Sequence, residues 1–168
     1  MSANTEPLDD SLLKRLTGQD HYEYLSASRS LAAPLSDFAT NQLLDIGLTG
    51  SGVIRVRMMT ILKRINLQYA NVLAIKLLEE PQQKFVISAI QHLIVAEYSD
   101  ATEQAVNVIN THPDVNAKIE AICYLACFGD SKHLQLLTTY TSDESIGVEG
   151  RTLGGEAMAA MYNINLRS

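Results

Sequence analysis

The stretch AKIEAICYLACFGD, residues Ala117–Asp130, decides the fold of this chain. Its residues Ala121, Ile122 and Leu125 are small or apolar and lie one, three and four positions apart. Residues at this spacing share one face of an α-helix, and a following glycine is typical of a helix end. The stretch therefore predicts a helix that ends at Gly129 and buries most of its surface against other helices.

The same spacing recurs before and after this helix. A pair of small or apolar residues begins three positions after a basic residue, and a single further residue of this kind stands three positions after the pair. The basic residues that start these units are Arg55, Lys118 and Arg151, with Lys84 beside a less regular unit near position 86. The intervals are 118 − 55 = 63, which is two steps of about 31, and 151 − 118 = 33. A two-helix unit with this period is typical of an α-solenoid, in which each unit stacks on its neighbour.

Proline and turn residues divide the rest of the chain into further helices. Pro34, Pro81 and Pro113 each stand where a first helical turn is expected, a position that proline tolerates. No run alternates apolar and polar residues in the way of a half-buried strand. We therefore predict an all-α fold of about ten helices. The second helices of the repeating units should begin near positions 53, 83, 115 and 148.

Composition and charge disfavour several classes of protein. The chain has 168 residues, 46% of them hydrophobic, which is enough for one domain with a sizeable core. Its net charge of −6, from 13 basic and 19 acidic residues, disfavours a protein that binds nucleic-acid phosphates through a basic face. The sequence has neither an apolar run of membrane-helix length nor the pattern of a secretory signal. Two cysteines make no disulfide framework, so we expect a cytoplasmic protein.

The stretch Ala117–Asp130 resembles the short HEAT-like repeat of the phycobilin-lyase type. That pattern runs Val-Arg, two residues, a pair of small residues, Leu and then Gly-Asp; Glu149–Asn163 is the second-best match, and the resemblance covers about residues 53–163. It implies a short right-handed α-solenoid, an alpha-alpha superhelix of HEAT-like helix pairs. Residues 1–8 are then expected to be a flexible N-terminal tail. Residues 9–168 are expected to form a single domain, with degenerate capping helices in 9–50 and clearer repeats in 53–163.

Both cysteines, Cys123 and Cys127, lie in the quoted stretch. Residues four apart on a helix have Cβ atoms about 5–6 Å apart, whereas a disulfide needs about 3.5–4.5 Å. We therefore expect both thiols to be reduced, free of metal and buried in the apolar interior. A metal site with His133 as a third ligand is the alternative, but a closed zinc site takes four ligands and no fourth stands at a recognisable spacing.

Basic residues are the candidate partner-binding residues of this acidic chain. One cluster lies in RVRMMTILKR, and matching positions of successive units add a row with one charge per unit. Together these residues are Arg55, Arg57, Lys63, Arg64, Lys84, Lys118 and Arg151. Two interpretations stay open. The side chains either bond to neighbouring loops and stabilise stacking, or form an electrostatic strip for an acidic segment of a protein partner.

The repeat accounts for nearly every conspicuous residue, which leaves no set of residues that points to catalysis. We therefore expect a non-catalytic protein–protein interaction module, an adaptor, regulator or assembly subunit that binds a protein partner on its solenoid surface. The resemblance also implies an alternative, a HEAT-like enzyme or enzyme subunit such as a bilin-lyase-type protein, and less readily a nucleic-acid-binding HEAT-like protein. No catalytic, cofactor-binding or metal-binding residue is predicted, and the sequence leaves the oligomeric state open.

Overall fold

The structure, a computed structural model, describes residues 6–31 and 34–168 and consists of α-helices and two 3-10 helices, Ser131–His133 and Val148–Gly150. Its helices are α1 (Asp10–Thr17), α2 (His21–Ser30), α3 (Asp37–Thr49), α4 (Gly52–Leu62), α5 (Leu67–Leu77), α6 (Gln83–Val95), α7 (Thr102–Thr111), α8 (Val115–Phe128), α9 (Leu134–Thr138) and α10 (Leu153–Arg167). The described residues contain no strand, so the all-α prediction is confirmed. None of these helices combines the length and apolar character that a membrane span requires.

The predicted N-terminal tail, residues 1–8, lies partly outside the described residues, which begin at Glu6. The Glu6 carbonyl accepts a hydrogen bond from the Ser36 hydroxyl at 2.9 Å. The Leu8 amide donates to the Gln42 side chain at 3.0 Å, and the Leu8 side chain is buried. Residues 6–8 are therefore bonded to the first half of α3 and to its N-cap.

The described residues up to Lys76 form one compact unit, in which α1 packs on α2 and α3 on α4. The side chains of Asp9 and Asp20 accept amide hydrogen bonds in the first turns of α1 and α2, as expected of N-caps. Gly47 permits close packing of α3, because a Cβ at this position would lie 2.5 Å from Leu73 Cδ1 of α5. A larger residue would force the Leu73 side chain out of its place against α3.

The second compact unit, Leu77–Ser168, is organised around α8. Helix α8 packs against α6, α7 and α10, while α10 also packs against α9. Asp114 caps α8 by accepting the amides of Asn116 and Ala117, and Gly129 ends it as the sequence predicts. Because α8 is covered on several sides, its residues 121, 122 and 125 are all buried.

The predicted helix starts agree with the structure in three of four places. The second helices α4, α6 and α8 begin at Gly52, Gln83 and Val115. The fourth prediction is wrong, since α10 begins at Leu153 and not near position 148. Glu149 and Gly150 have φ angles of 62° and 73°, in the left-handed region that an α-helix does not use. Thr152 then caps α10 by accepting the Gly155 amide at 3.1 Å.

The buried face of α10 is also different from the predicted one. Met158, which the repeat places in the core, is 55% exposed, and Ala157 is buried instead. Leu153 and Ile164 share the face of Ala157 and are buried with it. This orientation removes two large branched side chains from water, which stabilises the unit more than burial of Met158 alone.

Substitutions in α8 and α10 test this assignment of buried faces. Leu125→Ala should lower the free energy of unfolding by about 2–5 kcal/mol, because it leaves a cavity at a fully buried position. Met158→Ala should change it by less than about 0.5 kcal/mol. Urea denaturation of both variants measures the difference, and equal losses would contradict the assignment.

Candidate functional site

Arg55 and Arg57, two of the predicted partner-binding residues, are buried in their own unit, with 7% and 9% of their surface exposed. Arg55 Nε lies 3.1 Å from the Gly47 carbonyl oxygen, and its Nη2 lies 3.0 Å from that of Gly50. These carbonyls belong to the carboxyl end of α3, where the last turn has no helical amide partners. Arg55 therefore supplies hydrogen bonds and a positive charge at the negative end of the α3 dipole.

Arg57 has the same role at the end of α1. Its Nη1 donates to the carbonyl oxygens of Leu16, at 3.4 Å, and Gly18. The guanidinium also lies over the ring of Tyr24, 4.6 Å from the ring centroid, within the range of a cation–π interaction. This one side chain thus bonds helix α4 to both α1 and α2.

Arg64 and Arg167 donate hydrogen bonds to the carboxyl ends of two further helices, α2 and α8. Arg64 Nη2 lies 3.0 Å from the Ser28 carbonyl oxygen in the last turn of α2. In the unit Leu77–Ser168, Arg167 donates to the carbonyl oxygens of Ala126 and Gly129, at 2.6 and 3.0 Å, at the end of α8. Arginine side chains from elsewhere in each unit therefore cap the carboxyl ends of α1, α2, α3 and α8.

The lysines of the predicted set are more accessible than the buried Arg55 and Arg57. Lys63 and Lys84 are exposed, and Lys118 is half-buried. Lys84 Nζ lies 4.9 Å from the Phe85 ring centroid, and Lys118 Nζ lies 6.0 Å from that of Tyr140. Binding of an acidic partner by these lysines stays a prediction.

Arg151, the last member of the set, is the centre of a polar cluster in the second unit. Its Nη1 lies 2.9 Å from Glu120 Oε1, and its Nε lies 2.8 Å from Glu156 Oε1. Its Nη2 lies 2.8 Å from Cys123 Sγ. Glu120 and Cys123 are three residues apart on α8, and Glu156 is in the first turn of α10. The guanidinium thus uses all three nitrogens to join α8 to the beginning of α10.

The contacts in this cluster fix the protonation states of its members. The hydrogen bond from Arg151 lowers the pKa of Glu156. The hydrogen bond to Glu156, with that to Glu120, raises the pKa of Arg151 above its usual value. Burial raises the pKa of the Cys123 thiol to about 11 although Arg151 opposes the shift. At neutral pH the cluster therefore holds a charged pair and a protonated thiol.

The prediction that both cysteines are buried is wrong for Cys127, which is exposed, while Cys123 is half-buried; both are free thiols. A step of four residues rotates a side chain by about 40° around the helix axis, which moves Cys127 off the packed face. His133, the third candidate ligand, instead contacts Asp130 in the turn after α8, where its Nδ1 is 2.9 Å from Asp130 Oδ1. Across residues 6–31 and 34–168, no three His, Cys, Asp or Glu side chains are grouped to hold a metal ion.

A cleft of about 310 Å³ lies beside the Arg151 cluster. Helices α6 and α8 and the segment before α10 contribute its lining: Ile87, Gln91, Asn116, Ile119, Glu120, Val148, Glu149 and Arg151. The Val148 amide donates to Asn116 Oδ1 at 2.7 Å, which ties the segment before α10 to α8. Of the predicted set, Arg151 alone lines this cleft. The sequence did not predict the apolar residues of this lining. Val148 follows turn residues in the sequence, which is the one signal that could have indicated an exposed apolar side chain here.

Helix α10 carries a second apolar face that the sequence reasoning also missed. Met158, Tyr162 and Leu166 are 55%, 65% and 67% exposed and stand four residues apart. The sequence signal is the presence of two apolar stripes on one helix. It does not say which of the two is buried, and the repeat favoured the wrong one.

Replacement of Arg57 tests the role of the arginines at helix ends. Arg57→Ala should lower the free energy of unfolding by about 1–3 kcal/mol, because the Leu16 and Gly18 carbonyls lose their donor. Lys63→Ala, which removes the same charge from an exposed site nearby, should change it by less than about 0.5 kcal/mol. Urea denaturation compares the two, and indistinguishable variants would refute the assigned role.

Replacement of Arg151 should alter the pH dependence of stability. The pKa of Glu156 in the folded protein is below its ordinary value of 4.5. This carboxylate therefore stabilises the fold above about pH 4.5, and the contribution is lost as the pH falls through the folded pKa. Arg151→Gln should flatten that acid-side loss in urea denaturation between about pH 6 and pH 3, whereas Lys63→Gln should keep it. An unchanged profile in Arg151→Gln would show that the pair does not hold the Glu156 pKa down.

Comparisons with known proteins assign neither a family nor a function to this chain. A scan against protein-family models and searches of curated proteins and of solved structures found no match to this chain.

Proposed function

We propose that this chain is a non-catalytic protein-interaction module that holds a segment of a partner protein in the cleft of the unit Leu77–Ser168. The cleft itself carries the proposal. Its apolar lining includes Ile87 and Ile119, and its polar lining includes Gln91 and Asn116. Its lining is mixed, with three apolar residues and five polar or charged ones, and positioned polar groups of a concave site can orient a bound segment. A volume of about 310 Å³ is small for such a site and suits one or two side chains of a partner.

The charges around the cleft favour a partner segment with a basic side chain. Glu120 and Glu149 line the cleft, and Arg151 is already shared between Glu120 and Glu156. A partner carboxylate would compete with two carboxylates of the chain for one guanidinium. A partner ammonium or guanidinium group would instead be attracted to Glu149 at the rim, beside the exposed apolar side chain of Val148.

The state of Cys123 supports a role in binding and not in catalysis. The nucleophilic form of cysteine is the thiolate, and a pKa of about 11 leaves this thiol protonated at neutral pH. Arg151, the cationic group beside it, is bonded to Glu120 and Glu156 as well. The cluster therefore serves to position the cleft wall.

We further infer that the helices of the unit Leu77–Ser168 stack as HEAT-like helix pairs of a right-handed α-solenoid. Contacts inside the second unit support this inference: α7 packs on α8, α9 packs on α10, and α8 packs on both α6 and α10. Stacked helix pairs produce contacts of this kind. Solenoids present extended surfaces for partners, which agrees with the proposed binding role.

Selection of random peptides displayed on phage against the full chain tests the proposed function. Enriched peptides should carry Lys or Arg next to an apolar residue, and their binding should weaken as salt is added. Val148→Lys should reduce their affinity by about tenfold or more, because it places a positive charge at the cleft rim.

Val95→Lys is the matched control. Val95 and Val148 have similar exposures, 67% and 65%, and Val95 does not line the cleft. Both variants should keep the wild-type free energy of unfolding in urea denaturation within about 0.5 kcal/mol. Enrichment of acidic peptides, or equal affinity of the Val148→Lys and Val95→Lys proteins, would reject the proposal.

A further inference from the structure

The segment before α10 doubles back on itself in a short hairpin. A single antiparallel bridge, too short to be a strand, pairs Ile146 with Thr152. Two backbone hydrogen bonds flank the bridge, from the Gly147 amide to the Arg151 carbonyl at 2.8 Å and from the Leu153 amide to the Ser145 carbonyl at 3.0 Å. These bonds hold residues 145–147 extended along one edge of the hairpin.

The backbone groups of Ile146 lie on the outer side of residues 145–147, here called the open edge. Successive residues of an extended chain direct their N–H and C=O groups to opposite edges. Because Ser145 and Gly147 bond inward, Ile146 directs both of its groups outward. Within residues 6–31 and 34–168 neither group has a hydrogen-bond partner. Ile146 therefore presents one donor and one acceptor to a segment lying alongside.

The open edge faces the cleft, as the next outward amide shows. Val148 comes two residues after Ile146, so its amide points to the same edge. This amide donates to Asn116 Oδ1 at 2.7 Å, and Asn116 belongs to the lining of the cleft. A segment paired with Ile146 would therefore lie beside the wall that α8 contributes to the cleft.

The two faces of the hairpin decide which side chains of such a segment reach the cleft. A Cβ on Gly147 would lie 2.8 Å from Ile119 Cδ1, so the side-chain position of Gly147 is directed toward α8. Because side chains alternate between faces, those of Ile146 and Val148 point away from α8, in agreement with their exposures of 69% and 65%. A partner residue opposite Ile146 would also point outward, and its neighbour would point toward α8 and the cleft.

The charges beside the open edge favour a basic segment. Glu144 precedes the edge and Glu149 follows it, and both are exposed. Glu120 adds a third carboxylate, in the lining of the cleft. Asp143 adds little, because Lys118 opposes its charge. An apolar edge with carboxylates on both sides is complementary to a segment in which apolar and basic residues alternate.

We propose that the partner segment binds in an extended conformation, pairs with Ile146 through two backbone hydrogen bonds and points a basic side chain into the cleft. The proposal rests on the proposed function, because it describes how the same cleft holds its partner. In strand addition the main-chain bonds supply affinity and alternate side chains supply specificity. One residue pair and a cleft of about 310 Å³ make a small contact, so the complex should be weak and dissociate readily.

Amide hydrogen exchange, followed by NMR on the full chain with a synthetic peptide from the phage selection, tests the pairing. The Ile146 amide should exchange about tenfold or more slowly in the complex than in the free chain, because it donates to the peptide. The Gly147 amide is the internal control, since it is bonded to Arg151 and should exchange equally slowly with and without peptide.

Two outcomes of this measurement would overturn the pairing. An unprotected Ile146 amide, in the complex of a peptide whose affinity is lowered by Val148→Lys, would reject the extended mode and leave the proposed function standing. Protection of Ile146 that grows with the concentration of the chain alone would assign the open edge to a second copy of the chain.

Peptides with one N-methylated backbone amide test the pairing from the partner's side, without any change to the protein. Affinity should fall about tenfold or more when the amide that donates to Ile146 is methylated, and it should change little for the amides directly before and after, which point to the other edge. The Ile146→Pro chain, which lacks the outward donor, should bind the unmodified peptide about tenfold more weakly, whereas Ile146→Val should bind as wild type. Equal affinities along the methylated series would refute strand addition.

Discussion

Hydrogen bonds from arginine side chains to the carboxyl ends of other helices are the interaction on which this structure depends. A chain divided into short helices has many last turns, and each leaves carbonyl groups without helical partners. Arg55, Arg57 and Arg64 supply donors to α3, α1 and α2, and Arg167 supplies them to α8. A planar guanidinium suits this role, because it reaches two carbonyls at once while its charge opposes the helix dipole.

This use of arginine separates the charges that hold the fold from those at the surface. Arg55 and Arg57 are nearly removed from water, so they contribute little to the field that a partner meets. Arg151 is different, since its partners are the carboxylates of Glu120 and Glu156 and it lines the cleft. In the first case the arginine completes the hydrogen bonding of a backbone. In the second it fixes the position of acidic side chains around a cleft, which makes that part of the surface acidic overall.

The helices could be predicted from the sequence because their signals are local. Spacing of three and four residues placed Leu125 in the core, and helix caps such as Asp9 and Asp20 act on amides only two or three residues away. The destinations of the arginines could not be predicted, since Arg57 and Leu16 are 41 positions apart. The basic cluster RVRMMTILKR made Arg57 conspicuous, but it did not indicate that this side chain points inward.

The errors at α10 have a related cause. The repeat fixes where a helix is expected, but the left-handed conformation at Glu149 and Gly150 delays its start. Two apolar stripes on one helix then compete for the core, and the choice depends on the shape of α8 and α9, which no local pattern encodes. The cleft depends on the same region, because Val148 is held by Asn116 at 2.7 Å. The sequence therefore indicated the helices well and the surfaces poorly.

The unequal environments of the two cysteines have a practical consequence for spectroscopy. Maleimide and methanethiosulfonate reagents react with accessible thiolates. Cys127 is exposed, whereas Cys123 is half-buried, bonded to Arg151 and has a pKa of about 11. The natural chain thus offers one fast labelling position, on the last turn of α8, without any substitution. A nitroxide or fluorophore attached there would report on the motion of α8 in the protein as it is made.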